Sequence, residues 1–168
     1  MKFTAQEEYG LRCLLQFGRQ PAGGSLTIPE ISQRAGLSEP YVAKLLRILR
    51  QGKLITSIRG QAGGYALARP PERILVGEVL SVLGGRLFDG EFCDNHPGHH
   101  SVCNLADDCA LRSLWRTVQV VVDQVLNRTS LKDLLASEQQ MENWAGNLVT
   151  ITSGPAESAV PAAPPRRV

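Results

Sequence analysis

Residues 27–52 read TIPEISQRAGLSEPYVAKLLRILRQG, and this stretch decides the fold. Thr27 stands three residues before Glu30, so the hydroxyl and the carboxylate can each satisfy an orphan N–H of a helix start, and Pro29 is tolerated in the first turn. The short helix begun there runs to about Ala35. Gly36 breaks it, Ser38 stands ready to cap a further helix with Pro40 in its first turn, and Val42, Leu45, Leu46 and Leu49 form that helix's apolar face up to Gly52. Two short helices joined by Ala35-Gly36-Leu37-Ser38 are what a helix-turn-helix requires: glycine permits the tight reversal, and the second helix is free to enter a major groove. Its early, outward side carries Ser38, Pro40, Tyr41, Lys44 and Arg47, placed to reach base edges or phosphate oxygens.

On the N-terminal side, Tyr9, Leu11, Leu14, Leu15 and Phe17 recur at helical spacing over residues 5–18 and predict a first helix, ended by Gly18 and the Pro21-Ala-Gly-Gly24 stretch. On the C-terminal side, Leu54-Ile-Thr-Ser-Ile58 and Tyr65-Ala-Leu67 flank a glycine-laden turn and read as a β-hairpin wing. Gly60, Gly63 and Gly64 let the backbone approach a phosphate chain, Arg59 suits a narrow minor groove, and Gln61 adds a polar contact. For an isolated hairpin a solvated arginine beside a flexible turn is the plainer description; directly after a helix-turn-helix the DNA-contacting one is favoured.

Farther along, Val76, Val79, Leu80 and Leu83 predict a helix that Gly84-Gly85 stops. From Ala110 the apolar positions Leu111, Leu114, Val118, Val121 and Val125 alternate steps of three and four, a stripe that calls for a partner helix. Residues Ser130 to Ala136 predict one more short helical turn, and the Ala-, Pro- and Ser-dominated end predicts a disordered tail. The expected fold is mainly α with a small β-hairpin wing. Its parts are a winged helix-turn-helix domain over 1–84, a cysteine-containing loop over 85–109, a dimerisation helix and short terminal helix over 110–136, and a disordered tail over 137–168.

Charge is distributed unevenly. Between Ser38 and Arg69 six bases (Lys44, Arg47, Arg50, Lys53, Arg59, Arg69) face the single acid Glu39, the footprint of a phosphate-binding surface. From Leu87 to Leu111 the sign inverts, with Asp89, Glu91, Asp94, Asp107 and Asp108 and neither Lys nor Arg. Cys93, Cys103 and Cys109 fall in that acidic stretch, separated by nine and five residues. Thiolates favour soft or borderline ions, so the spacing by itself leaves iron-sulfur and zinc both open. His96, His99 and His100 crowd the same loop, where they read as exposed loop histidines or as a source of a further ligand. Cys13, among Leu11, Leu14 and Leu15, reads as a small buried hydrophobe, and Trp115 as packing.

The strings MKFTAQEEYGLR, GLSEPYVAKLLRILRQGKLITSIRG and RGQAGGYAL resemble the bacterial Rrf2 superfamily, with its IscR-, NsrR- and RirA-type regulators, over about residues 1–136. The Arg59-Gly60-x-x-Gly63-Gly64-Tyr65-x-Leu67 pattern is the most specific piece. The resemblance implies a homodimer that reads a palindromic double-stranded operator through its recognition helices and wings. It also implies an iron-sulfur cluster on Cys93, Cys103 and Cys109. IscR-type members place a histidine three residues after the last cysteine, where this chain has Arg112. NsrR-type members use an acidic residue from the partner's first helix, a position matched here by Glu8, with Glu7 as the near alternative. Without the resemblance, Glu8 reads as a solvated helix carboxylate. The missing imidazole favours a 4Fe-4S over a 2Fe-2S cluster, with a zinc site or a thiol-disulfide switch as the alternative. The function implied is a transcriptional repressor sensing redox state, nitric oxide or iron supply.

Other classes fit poorly. No Gly-rich phosphate loop, nucleophile elbow or His-Glu-x-x-His pattern occurs, so neither an enzyme nor a small-molecule substrate is expected. No stretch approaches the roughly 20 apolar residues that span a membrane. Two carboxylates precede the apolar part of the N-terminal segment, unlike a secretion signal, and four cysteines are too few for a disulfide scaffold; both point to a cytoplasmic protein.

Overall fold

The computed structural model describes residues 3–60, 63–85, 95–96, 99 and 109–152, with the side chains of 147–152 excepted. Two capping boxes start its first two helices. Thr4 accepts from the Glu7 amide at 3.2 Å while Glu7 Oε2 accepts from the Thr4 amide at 2.6 Å, opening α1 (Ala5–Gly18). Thr27 and Glu30 repeat the arrangement for α2 (Ile28–Ala35), and the Thr27 amide holds the Glu30 carboxyl below its ordinary pKa. The first of these boxes is visible in the sequence but is not among the signals read above.

Gly36 ends α2 in the left-handed region (φ 68°), a conformation only glycine adopts without strain, and its amide donates to Ser32 O at 3.0 Å. The chain reverses into α3 (Glu39–Gln51). Ser38 is its N-cap residue, but its side chain makes no capping hydrogen bond, a correction to the expectation. At the far end Gly52 caps α3 with φ −75°, and Lys53 takes the positive φ of 57°.

Strands β1 (Ile55–Ile58) and β2 (Gly64–Leu67) pair antiparallel, from Ile55 with Leu67 to Ile58 with Gly64. A bridge to Leu26 extends the hairpin: Leu26 N donates to Tyr65 O at 2.9 Å, and Tyr65 N to Leu26 O at 2.8 Å. The wing is therefore tied to the segment that leads into α2. After a 3-10 turn (Pro71–Arg73) comes α4 (Val76–Leu83), as its periodicity predicts.

The core joins all these elements. Cys13, Leu14, Phe17, Leu26, Ile31, Val42, Leu45, Leu46, Leu49, Leu54, Ile55, Ile74, Val79, Leu83 and Leu131 are buried in one cluster. At about 1.5–3 kcal/mol for each large side chain withdrawn from water, the four α3 residues among them dominate its docking. The long helix α5 (Ala110–Leu126) contributes differently. Its residues Leu111, Leu114, Trp115, Val118 and Val121 are exposed, and Gln119 is the helix residue buried in the protomer, donating to Asp123 at 2.7 Å. Past α5 the chain returns to the core. Leu131 N donates to Ile74 O at 2.8 Å and its side chain is fully buried. The turn expected over 130–136 is a 3-10 helix (Asp133–Leu135), opened by Ser130 with Asp133. Met1–Ala136 form one compact unit.

The tail requires a correction. Residues 138–152, expected to lack structure, form α6 (Glu138–Thr152). Ser137 N donates to Gln140 Oε1 at 3.0 Å and Gln140 N to Ser137 Oγ at 3.3 Å. This capping box leads into Glu138-Gln-Gln-Met-Glu142, a run that is polar yet made of good helix formers. Residues 153–168 lie outside the described part.

Candidate functional site

Burial of Val42, Leu45, Leu46 and Leu49 turns the opposite side of α3 outward. Pro40, Lys44 and Arg47 are exposed there, three or four residues apart and thus on one face, with Ser38 exposed at the helix head. Arg50 is exposed too and continues the three-residue step from Lys44 through Arg47, a signal in the sequence that the candidate set above omits. Tyr41 is half-buried at the edge of this face. Its ring lies 5.9 Å from Lys44 Nζ and meets Tyr9 of α1 edge to face, with centroids 5.9 Å apart and planes at 86°. Arg12 lies over the Tyr9 ring, 5.2 Å from its centroid.

In the wing, Arg59 follows β1 and is exposed beside the exposed Ile58. Gly60 has φ 114°, and Gly63 N donates back to Gly60 O at 2.9 Å, closing the turn. Gly64 answers to a different demand. A Cβ there would stand 2.6 Å from Leu26 O, so glycine at 64 lets β2 lie against the Leu26 backbone. Gln61 is outside the described residues.

Of the cysteines, Cys93 and Cys103 lie outside the described residues, as does His100, whereas His96 and His99 are exposed. Cys109 is half-buried at the N-cap of α5, and its Sγ accepts from the Arg112 amide at 3.4 Å. The sulfur thus stands at the head of a helix, and cysteine sulfur is a ligand that suits soft metals. Among the described residues no three His, Cys, Asp or Glu side chains converge. The two glutamates considered as ligands differ. Glu7 is engaged by the Thr4 cap, while Glu8 is exposed and pairs with Arg12 at 2.9 Å, one turn along α1.

Cys13 is fully buried, as expected, and burial pushes its thiol up to about 11. Alkylation at about pH 8 is therefore expected to spare Cys13 in the native protein and to label it in denaturant. Because the folded thiol keeps its proton above the ordinary value of 9.0, stability falls as pH rises between the two values, and denaturation midpoints should fall more steeply there than in Cys13→Ala. Peptide mass spectrometry and denaturation at stepped pH check both parts, and ready labelling of the native thiol would contradict its burial.

The profile of the Rrf2 family, described as an iron-dependent transcriptional regulator, matches residues 3–137. The transcriptional regulator IscR of Sodalis glossinidius is 30% identical over 142 residues, which cover 84% of this chain and 83% of that protein. CymR of Bacillus subtilis, the global cysteine regulator, is 31% identical over 134 residues, covering 80% and 89%. Its solved structure matches with a TM-score of 0.65, and that of T. potens IscR matches equally, at 32% identity over 84% of this chain and 92% of that one. These relatives are regulators of transcription and not enzymes. By the span of the family match and by these identities, a helix-turn-helix with a glycine-built wing has its place here: the chain belongs to the Rrf2 family of DNA-binding transcriptional regulators.

Proposed function

We propose that the chain is a homodimeric cytoplasmic repressor whose binding to a palindromic operator is controlled by an iron-sulfur cluster, held by Cys93, Cys103 and Cys109 of one subunit and the partner subunit's Glu8. The observation that carries the sensing half is the Cys109 sulfur at the head of α5, accepting an amide at the start of a helix whose apolar stripe is exposed. A ligand anchored there stands where a second copy would pack. The exposed Glu8 supports its assignment over the cap-bound Glu7. Arg112 has no imidazole to give, which favours 4Fe-4S over 2Fe-2S. When bound, such a cluster supplies iron that responds to redox state, nitric oxide or iron supply. The protein's own part is to hold two DNA-reading heads about one helical turn of DNA apart, with Ser38, Pro40, Tyr41, Lys44 and Arg47 toward the major groove and Arg59, Gly60, Gln61, Gly63 and Gly64 toward the minor groove and backbone. A cytoplasmic setting keeps the thiols reduced, and none of the described helices is long and apolar enough to cross a membrane.

A second reading is favoured by the likeness to CymR, whose Staphylococcus aureus form is 28% identical, has a TM-score of 0.62 and was solved in an oxidized form. It assigns Cys93, Cys103 and Cys109 to a thiol-disulfide switch, or to zinc. Purification without oxygen, followed by a visible spectrum and by iron, sulfide and zinc analysis, separates the two. Brown protein carrying iron and acid-labile sulfide, lost in Cys103→Ala and diminished in Glu8→Ala, is expected. Colourless protein with stoichiometric zinc, or with no metal at all, would overturn the cluster.

A further inference from the structure

We infer that Tyr9 of α1 is a positioning residue for DNA binding: it props Tyr41, and through Tyr41 it sets where the Lys44 ammonium stands on the outward face of α3. The inference rests on Lys44 being a DNA contact, as proposed above. Lysine is a point charge on a flexible four-carbon stem, so an exposed lysine samples many positions unless something orients it. Here the Tyr41 ring lies within the 6 Å range over which a ring attracts a cation, with Nζ at 5.9 Å. That ring is half-buried, and Tyr9 meets it edge to face at 5.9 Å, within the separation at which aromatic pairs attract. Tyr9 is itself flanked by Arg12 at 5.2 Å. Two helices far apart in sequence thus contribute one row, Arg12, Tyr9, Tyr41 and Lys44, with a cation at each end and the ring pair between.

The row has a consequence that simple packing does not. Both rings pack at the rim of the core, so their apolar bodies help hold α1 to α3. An aliphatic side chain at position 9 replaces much of that contact and none of the ring's quadrupole. It leaves Tyr41 without its edge-to-face partner and Lys44 with a ring free to turn. The loss then falls on one phosphate-seeking charge rather than on the fold, and it vanishes once that charge is gone.

A duplex selected by the full-length, anaerobically purified protein from a random-sequence pool provides the probe, and fluorescence anisotropy at several salt concentrations provides the affinities. Tyr9→Leu is expected to weaken binding about threefold to fivefold with a shallower salt slope, and Tyr9→Phe, which keeps the ring, to stay within about twofold of the parent. In the Lys44→Ala background Tyr9→Leu should add almost nothing. A full Tyr9→Leu loss in that background would overturn the inference, since the ring would then act through the fold or another contact. If Lys44→Ala binds as the parent does, the reading of Lys44 as a contact has failed, and the inference falls with it for that separate reason. Should Tyr9→Leu not fold, Tyr9→Met takes its place in the same cycle, read in the same way.

Discussion

Replacing Lys44 and Arg47 together by alanine is expected to weaken binding to the selected duplex about a hundredfold at moderate salt. Each side chain stands exposed on the face of α3 that points away from the core, one turn apart, at the stage of the helix that enters a groove. A cation on a phosphate releases about one counterion, so the slope of log affinity against log salt should flatten by about two when both are lost. If one of them reads a base edge instead, its removal relaxes sequence preference and is worth about 1–3 kcal/mol by itself. Either way the fold should be spared, because substitutions at exposed positions stay within about 0.5 kcal/mol. Arg19→Ala removes one such charge from the exposed end of α1 and is expected to lose less than about twofold. Anisotropy titrations of all three proteins decide the matter. A double variant that binds like the parent, or no worse than Arg19→Ala, would remove α3 from the DNA interface.

The second large effect is expected from α5. Leu111, Leu114, Val118 and Val121 are 56%, 51%, 36% and 51% exposed in the single chain, a run of apolar surface that water tolerates poorly. Covering it with the same helix of a second copy withdraws side chains worth about 1.5–3 kcal/mol each when fully buried. A carboxylate placed in the middle of that seam would be buried without a partner. Val118→Asp with Val121→Asp is therefore expected to shift the solution mass from about twice 18.3 kDa to near 18.3 kDa, as measured by light scattering on eluted protein. Far-ultraviolet dichroism should keep its helical signature, since both positions are exposed in the folded protomer. A palindromic operator would then be held by one half-site at a time, with affinity lower by a hundredfold or more. A parent that already runs at the mass of one chain, or a double variant that remains a dimer, would show that the stripe has another role.

Much of the fold is legible in the sequence because its signals are local. Thr27 and Glu30 are three residues apart, Gly36 sits between two periodic stretches, and the α3 apolar set repeats within four turns; each can be read with no knowledge of what lies across the molecule. The same holds for the outward side of α3, since its complement is apolar. Two readings erred for local reasons as well. The Ser38 hydroxyl is not used as a cap, and three residues on the chain has Tyr41, with no carboxylate to complete a capping box. The polarity of the segment after residue 136 suggests disorder, whereas Ser137 and Gln140 form a cap and the residues around and after them are strong helix formers. The cysteine site was legible as chemistry and spacing only, with Cys109 alone placed in the described part.

By itself, then, the chain's order of residues determined where α1 to α5 lie, that a hairpin follows α3, and which side of α3 is left outside the core. Tertiary structure alone decided the rest. It brought Leu26 to Tyr65 and Leu131 to Ile74, showed that Gly64 is required by the Leu26 backbone, and set Tyr9 against Tyr41. The physical reason is range. Caps and periodicities act over three or four residues and leave a pattern along the chain, whereas contact between distant segments depends on how several buried faces share one core, and leaves no period to read.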